Sequence, residues 1–210
     1  MRVDLAGAVV EGGDAAGDRF ESIENVAGTG FDDRLAGDAS ANALTGNAGD
    51  DVLDGRAGND SLQGGAGDDL LTGGSGADTL AGGTGSDTAS YADATAGVVV
   101  NLASGLGAGG DAEGDVLSSI EHLVGGSGND TLVGTADANR LLGGKGDDTL
   151  EGGANADILD GGEGSNTASY AGAAAGVLAQ LAQPELNTGD AAGDVYLNIE
   201  HLKGSAHGDT

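Results

Sequence analysis

The 210-residue chain contains no cysteine, so neither disulfides nor thiolate metal sites stabilise it. Aromatic residues make up 2% and tryptophan is missing, which excludes a conventional core of large side chains. Basic residues are equally scarce: seven Lys and Arg face 35 Asp and Glu, leaving a net charge of −28. Such a surface repels nucleic acid and anionic membranes and attracts cations. No apolar run approaches the ~18 residues of a membrane span, so membrane insertion is not expected. Residues 1–20 lack the basic start and apolar core of a signal peptide, so export would need another route or a segment outside this chain. Glycine is abundant, 44 residues, about three times its usual share. Composition alone, acidic and poor in large hydrophobes, reads as disorder. The order of the residues reads otherwise.

The chain is written in nines. From Gly28 to Ser90 run seven units without a gap, among them GNAGDDVLD, GRAGNDSLQ and GGAGDDLLT. A second array of five units covers 125–169, and a third opens at Gly204 (204–210) and is cut by the chain end. Two spacers, 91–124 and 170–203, are both 34 residues long and align without gaps, and residues 1–27 match the later part of the same spacer. The chain therefore reads as a piece of a larger repeating protein. Ile23 and Ile120 are 97 residues apart, Ile120 and Ile199 are 79, and the difference of 18 is two units. Arrays that grow by pairs of units fit a solenoid with two turns and two strands per coil.

Within each unit, positions 1, 2 and 4 are mostly Gly, position 6 is Asp or Asn, and position 8 is Leu or Ala. Dense glycine permits positive φ and close backbone approach, as in a turn whose carbonyls bend inward. Positions 7 to 9 are expected as a short strand with position 8 in the core. Two units per coil place residue n under n+18, with parallel strands about 4.8 Å apart. Asp33, Asp51, Asp69 and Asp87 then form one column, and Asn42, Asp60 and Asp78 the opposite one. In the second array the columns are Asp130, Asp148 and Asn166, and Asn139 and Asp157, with Asp157 ending its column. Carboxylates stacked this closely are costly without a cation. Ca²⁺, which takes six to eight oxygens in flexible geometry, suits them better than Zn²⁺, which prefers His and Cys. The column pairs allow five Ca²⁺ sites in the first array and three in the second; eight ions, carrying +16, would bring the charge of −28 to −12.

At these residues the chain resembles the RTX (repeats-in-toxin), or hemolysin-type, calcium-binding family, whose repeat is GGxGxDxUx. The resemblance implies an all-β fold, a right-handed parallel β-roll (β-solenoid) with two nonapeptide turns per coil and stacked Ca²⁺ ions. It also implies that each ion takes position-6 carboxylates from units 18 apart, carbonyls from positions 2 and 4 of the earlier unit, and carbonyls from positions 1 and 3 of the later. One such set is Gly65, Gly67 and Asp69 with Gly82, Thr84 and Asp87; another is Asn47, Gly49 and Asp51 with Gly64, Ala66 and Asp69. Arg56, Gly58 and Asp60 join Gly73, Ser75 and Asp78, and in the second array Gly126, Gly128 and Asp130 join Gly143, Lys145 and Asp148. Phe31, Ser40, Asp137 and Asn155 depart from Gly at position 4, and Asn42, Asn139 and Asn166 from Asp at position 6, so weaker sites are expected there.

Other signals carry less. Gly-Asp-Ala-x-Gly-Asp recurs at 13–18, 110–115 and 189–194; its aspartates stand outside the nonapeptide register and read as solvated loops, with further Ca²⁺ binding as the alternative. Gly105 to Gly110 matches a dinucleotide-binding pattern, but no helix follows it. His122 and His201 follow Glu121 and Glu200, and no Ser or Cys is expected to join them in acid–base work. Tyr91 and Tyr170 are expected to cover the ends of the array cores, with sugar stacking as the lesser reading. The chain thus reads as a non-catalytic, calcium-dependent folding and scaffold module of a large secreted bacterial protein, at the cell surface or outside it. The alternatives are an accessory module of an extracellular protease or alginate epimerase, and an adhesin stalk whose spacer loops bind ligand. The partners implied are Ca²⁺ ions, with extracellular polysaccharide or neighbouring repeat modules as further candidates.

Overall fold

The computed structural model describes residues 1–7, 9–11, 16, 18 and 20–210. The first Gly-Asp-Ala-x-Gly-Asp copy, 13–18, lies largely outside them. The chain forms two compact units, one of Met1–Tyr91 and Leu106–Ile120, the other of Ala92–Gly105 and Glu121–Thr210.

Short strands follow one another at nonapeptide spacing. They are β1 (Arg2–Asp4), β2 (Val9–Glu11), β3 (Asn25–Ala27), β4 (Arg34–Ala36), β5 (Ala43–Ala48), β6 (Val52–Asp54), β7 (Ser61–Ala66), β8 (Leu70–Thr72), β9 (Thr79–Thr84) and β10 (Thr88–Ser90). The first spacer adds β11 (Val99–Asn101), β12 (Leu106–Ala108) and β13 (Val116–Ser118). Then come β14 (His122–Val124), β15 (Thr131–Val133), β16 (Arg140–Lys145), β17 (Thr149–Glu151), β18 (Ile158–Glu163), β19 (Thr167–Ser169), β20 (Val195–Leu197) and β21 (His201–Lys203). In the first unit one sheet runs β2-β1-β4-β6-β8-β10 and the other β12-β13-β9-β7-β5-β3; in the second unit the orders are β14-β16-β18-β20 and β21-β19-β17-β15-β11. Within the arrays, successive strands thus fall in opposite sheets, as two turns per coil require.

Within the arrays the pairing is parallel and offset by 18: Leu35 lies beside Leu53, Leu44 beside Leu62, and Leu141 beside Leu159. Strands are three residues at every second unit, but six in β5, β7, β9, β16 and β18, which run on through position 3. The expected strand of positions 7 to 9 is therefore too short on that side. There the turn backbone also joins the ladder, with Asn47 beside Gly65 and Ala48 beside Ala66.

Position 8 makes the core. Each Leu there, from Leu35 to Leu80 and from Leu132 to Leu159, is 1% exposed or less, as are Ala89 and Ala168. A leucine stacked on leucines of neighbouring coils buries its side chain without any aromatic filler, which is how a chain with 2% aromatics closes a core. The spacers prolong the ladder. Leu117 pairs beside Leu80, Val100 beside Leu132, and Leu202 beside Ala168. Residues outside the repeat thus cover the ends of each array.

Candidate metal centre

Every position-6 side chain named from the sequence is buried: Asp33, Asn42, Asp51, Asp60, Asp69, Asp78 and Asp87 in the first array, and Asp130, Asn139, Asp148, Asp157 and Asn166 in the second. The 18-residue offset stacks them. Asp51 Oδ1 accepts a hydrogen bond from Asp33 N–H (2.8 Å), Asp69 Oδ1 from Asp51 N–H (2.8 Å), and Asp87 Oδ1 from Asp69 N–H (2.9 Å). The opposite column repeats this from Asn42 to Asp60 (2.7 Å) and from Asp60 to Asp78 (2.7 Å). In the second array Asp130, Asn139 and Asp148 donate to Asp148, Asp157 and Asn166.

One carboxylate oxygen is thereby used and the other is not. Oδ2 of Asp51, Asp60, Asp69, Asp78, Asp148 and Asp157 is buried with no hydrogen-bond partner. These oxygens face the position-1 glycine of their own turn. A Cβ on Gly46 would collide with Asp51 Oδ2 and stand 2.6 Å from the Gly64 carbonyl oxygen; one on Gly64 would meet Asp69 Oδ2 and the Gly82 carbonyl oxygen (2.7 Å). Gly55 and Gly143 stand in the same relation to Asp60 and the Gly73 carbonyl, and to Asp148 and the Gly161 carbonyl. Carboxylate and carbonyl oxygens converge on a space that only glycine leaves open, and among the described residues no donor bonds to these Oδ2 atoms.

The remaining oxygens named from the resemblance belong to the same turns, but several already accept hydrogen bonds. The position-2 carbonyls of Arg56 and Gly126 accept from Ser75 and Lys145 N–H, and the position-3 carbonyls of Ala66, Ser75 and Thr84 accept from Gly49, Gly58 and Gly67 N–H. A carbonyl has two lone pairs, so each keeps one for a cation. Position 4 holds positive φ, 112° at Gly49 and 132° at Gly67, a region that L side chains avoid. Asn47 and Arg56 adopt φ of 83° and 75° at position 2. Arg56 is held by its guanidinium, which donates to the Gly37 carbonyl and to Asp4 (both 2.7 Å).

The lowest turns of each array, and the highest turn of the second, differ. Asp130 Oδ2 accepts from Gly126 N–H (2.7 Å), and Asp33 Oδ2 from Thr29 N–H (2.5 Å). Asn42, Asn139 and Asn166 turn Nδ2 toward the carbonyls of Glu24 (3.5 Å), Glu121 (2.8 Å) and Asn198 (3.0 Å). Where position 6 is Asn, the side chain supplies a donor as well as an acceptor.

Burial disfavours the charged carboxylate and pushes Asp60, Asp69 and Asp148 up to about 6 and Asp157 to about 7; Asp51, Asp78 and Asp130 are raised by the same cause. Neighbouring carboxylates add to it, Asp87 and Asp51 acting on Asp69 and Asp78 acting on Asp60. An oxygen-only cradle of buried, mutually repelling carboxylates fits Ca²⁺, whose charge removes the repulsion.

The spacer aspartates overturn the solvated-loop reading. Asp115 and Asp194, the last residues of their motifs, are buried in column register. Asp115 Oδ1 accepts from Asp78 N–H (2.8 Å) and Asp194 Oδ1 from Asp157 N–H (3.0 Å). Asp157 is therefore not the end of its column. A second row also escaped the sequence reading. Exposed position-5 side chains accept from the turn above, Asp32 from Asp50 N–H (3.0 Å), Asp50 from Asp68 (2.9 Å) and Asn129 from Asp147 (3.0 Å). The recurrence of Asp or Asn at position 5 was the available signal. His201 does meet a serine, Ser165 Oγ at 2.9 Å from Nε2, contrary to expectation. Both are exposed, and the neighbouring Glu200 accepts from Asn166 N–H (2.7 Å).

The RTX calcium-binding nonapeptide repeat model matches four times, at residues 27–62, 54–89, 118–150 and 133–168. Among curated proteins none matches the chain. With more than half its length matched and its parallel sheets in 18-residue register, the chain belongs to the RTX calcium-binding nonapeptide repeat family.

Proposed function

We propose that this chain is a calcium-dependent folding and scaffold module of a large secreted bacterial protein, and that its ions lie in columns between position-6 residues 18 apart. The observation that carries the reading is the set of buried, unpartnered Oδ2 atoms facing backbone carbonyls. Without a cation these acceptors repel, and burial holds each carboxylate at a cost in free energy. A Ca²⁺ ion placed between turns joins one coil to the next, so binding and folding become one process. In repeat proteins, where each unit contacts its neighbours alone, such joints act cooperatively. The chain would stay open where Ca²⁺ is scarce and fold where it reaches millimolar concentration, which suits a protein that leaves the cell unfolded.

Circular dichroism tests this. In calcium-depleted buffer at neutral pH the spectrum is expected to be largely that of a disordered chain, and millimolar Ca²⁺ is expected to bring up the β signal. A β spectrum already complete without Ca²⁺ would remove the basis for the proposal.

A further inference from the structure

The two arrays end in the same way, and their ends hold more acceptors than the nonapeptides supply. Above Asp78 the chain leaves the repeat at Tyr91 and returns at Asp115, 37 residues after Asp78. In a regular turn, Val52 N–H donates to the Asp33 carbonyl (2.9 Å) while Asp33 N–H donates to Asp51 Oδ1 (2.8 Å). At the array end Val116 N–H donates to the Asp78 carbonyl (2.8 Å) and Asp78 N–H to Asp115 Oδ1 (2.8 Å). The second unit does the same with Val195, Asp157 and Asp194. Asp115 and Asp194 thus take the place of the next position-6 aspartate, although no count in nines leads to them.

Beneath them the same unpartnered oxygen recurs. Asp78 and Asp157 are each 1% exposed, and Oδ2 of each has no hydrogen-bond partner. A Cβ on Gly73 or Gly152 would collide with that Oδ2, so each oxygen faces the position-1 glycine of its own turn, as at the regular turns. Beyond Asp115 and Asp194 the pattern stops. Tyr91 and Tyr170 directly follow Ser90 and Ser169 and stand at position 1, where every earlier unit has glycine. Their hydroxyls donate to Oδ2 of Asp115 (2.9 Å) and of Asp194 (2.6 Å). A donor there satisfies the oxygen that in a regular turn faces the next space.

We propose that Asp115 and Asp194 each complete one further Ca²⁺ site, on top of Asp78 and Asp157, and that the Tyr91 and Tyr170 hydroxyls close the column above it. This rests on the column reading of the repeats. The spacer then sets the ion count of each array: it adds one site and ends the series with a phenol in place of a metal.

Calorimetric counting of Ca²⁺ on the full chain tests it, with Asp115→Asn and Asp194→Asn beside Asp69→Ala. An asparagine can still accept from Asp78 or Asp157 N–H but brings no charge to the ion. Each Asn variant is expected to bind one ion fewer than the parent while keeping the calcium-loaded β spectrum. If Asp69→Ala lowers the count and neither Asn variant does, the spacer sites are absent and the column reading stands. If none of the three changes the count, the column reading falls as well. Should an Asn variant fail to fold, crystals of the parent chain grown in Ca²⁺ decide. An ion joining Asp78 Oδ2 to Asp115 supports the site, and a water molecule there overturns it.

Discussion

Replacing Asp69 with alanine is expected to remove two Ca²⁺ ions from the first array, whereas Asp130→Ala should remove no more than one from the second. Asp69 has Asp51 below it and Asp87 above, each joined to it through a backbone N–H. Asp130 has Asp148 above, but below it the Val98 N–H, which carries no carboxylate into the column, and its Oδ2 already accepts from Gly126 N–H. At Ca²⁺ about a hundredfold above its dissociation constant each ion contributes roughly 2.7 kcal/mol, so the first variant should lose about 5 kcal/mol of calcium-dependent stability and the second no more than half of that. The first figure is comparable with the entire stability of many domains, so Asp69→Ala should need markedly more Ca²⁺ to fold. Counting ions by calorimetry separates the two variants. Equal losses would mean that Asp69 is not shared between two ions.

Much of this was legible in the sequence. The nonapeptide declares itself because each unit must offer the same groups to the unit stacked on it, so Asp51, Asp60 and Asp69 recur in phase with Leu53, Leu62 and Leu71. The 18-residue register was legible from the lengths of the two arrays, and the strand pairing shows it. Asp115 and Asp194 were not placed, because the loops before them add a number of residues that is not a multiple of nine; only their fold returns them to the column. The tyrosines were expected as core covers. They are buried, but the hydroxyl contacts that give them a part in the column depend on those same loops. The six-residue strands escaped because glycine at positions 1 and 2 reads as turn, although its backbone can also pair.

Acidification is expected to act in opposite directions with and without calcium. In the calcium-free fold, burial raises Asp60, Asp69 and Asp148 to about 6 and Asp157 to about 7, above the ordinary value of 3.8. The folded state therefore holds protons that the open chain has released. Their stabilising contribution is complete below about pH 4 and is lost as pH rises through 6 to 7. In calcium-depleted buffer the β signal should accordingly be greater at pH 5 than at pH 7.5. Ca²⁺ requires the same oxygens deprotonated, so its affinity should fall between pH 7 and pH 5, by up to about tenfold per pH unit for each proton displaced. Circular dichroism in metal-free buffer and calcium titrations at the two pH values give both trends. A calcium affinity that does not change across this range would show that the buried carboxylates are not the ligands.

The position of the ions themselves is the most direct test. Anomalous scattering from crystals grown in millimolar Ca²⁺ should show, in each array, two rows of peaks lying beside the position-6 carboxylates on opposite sides of the coil, successive peaks in a row about 4.8 Å apart. Peaks confined to exposed carboxylates such as Asp32, Asp50 and Asp68, with the spaces between Asp51, Asp69 and Asp87 free of metal, would contradict the account.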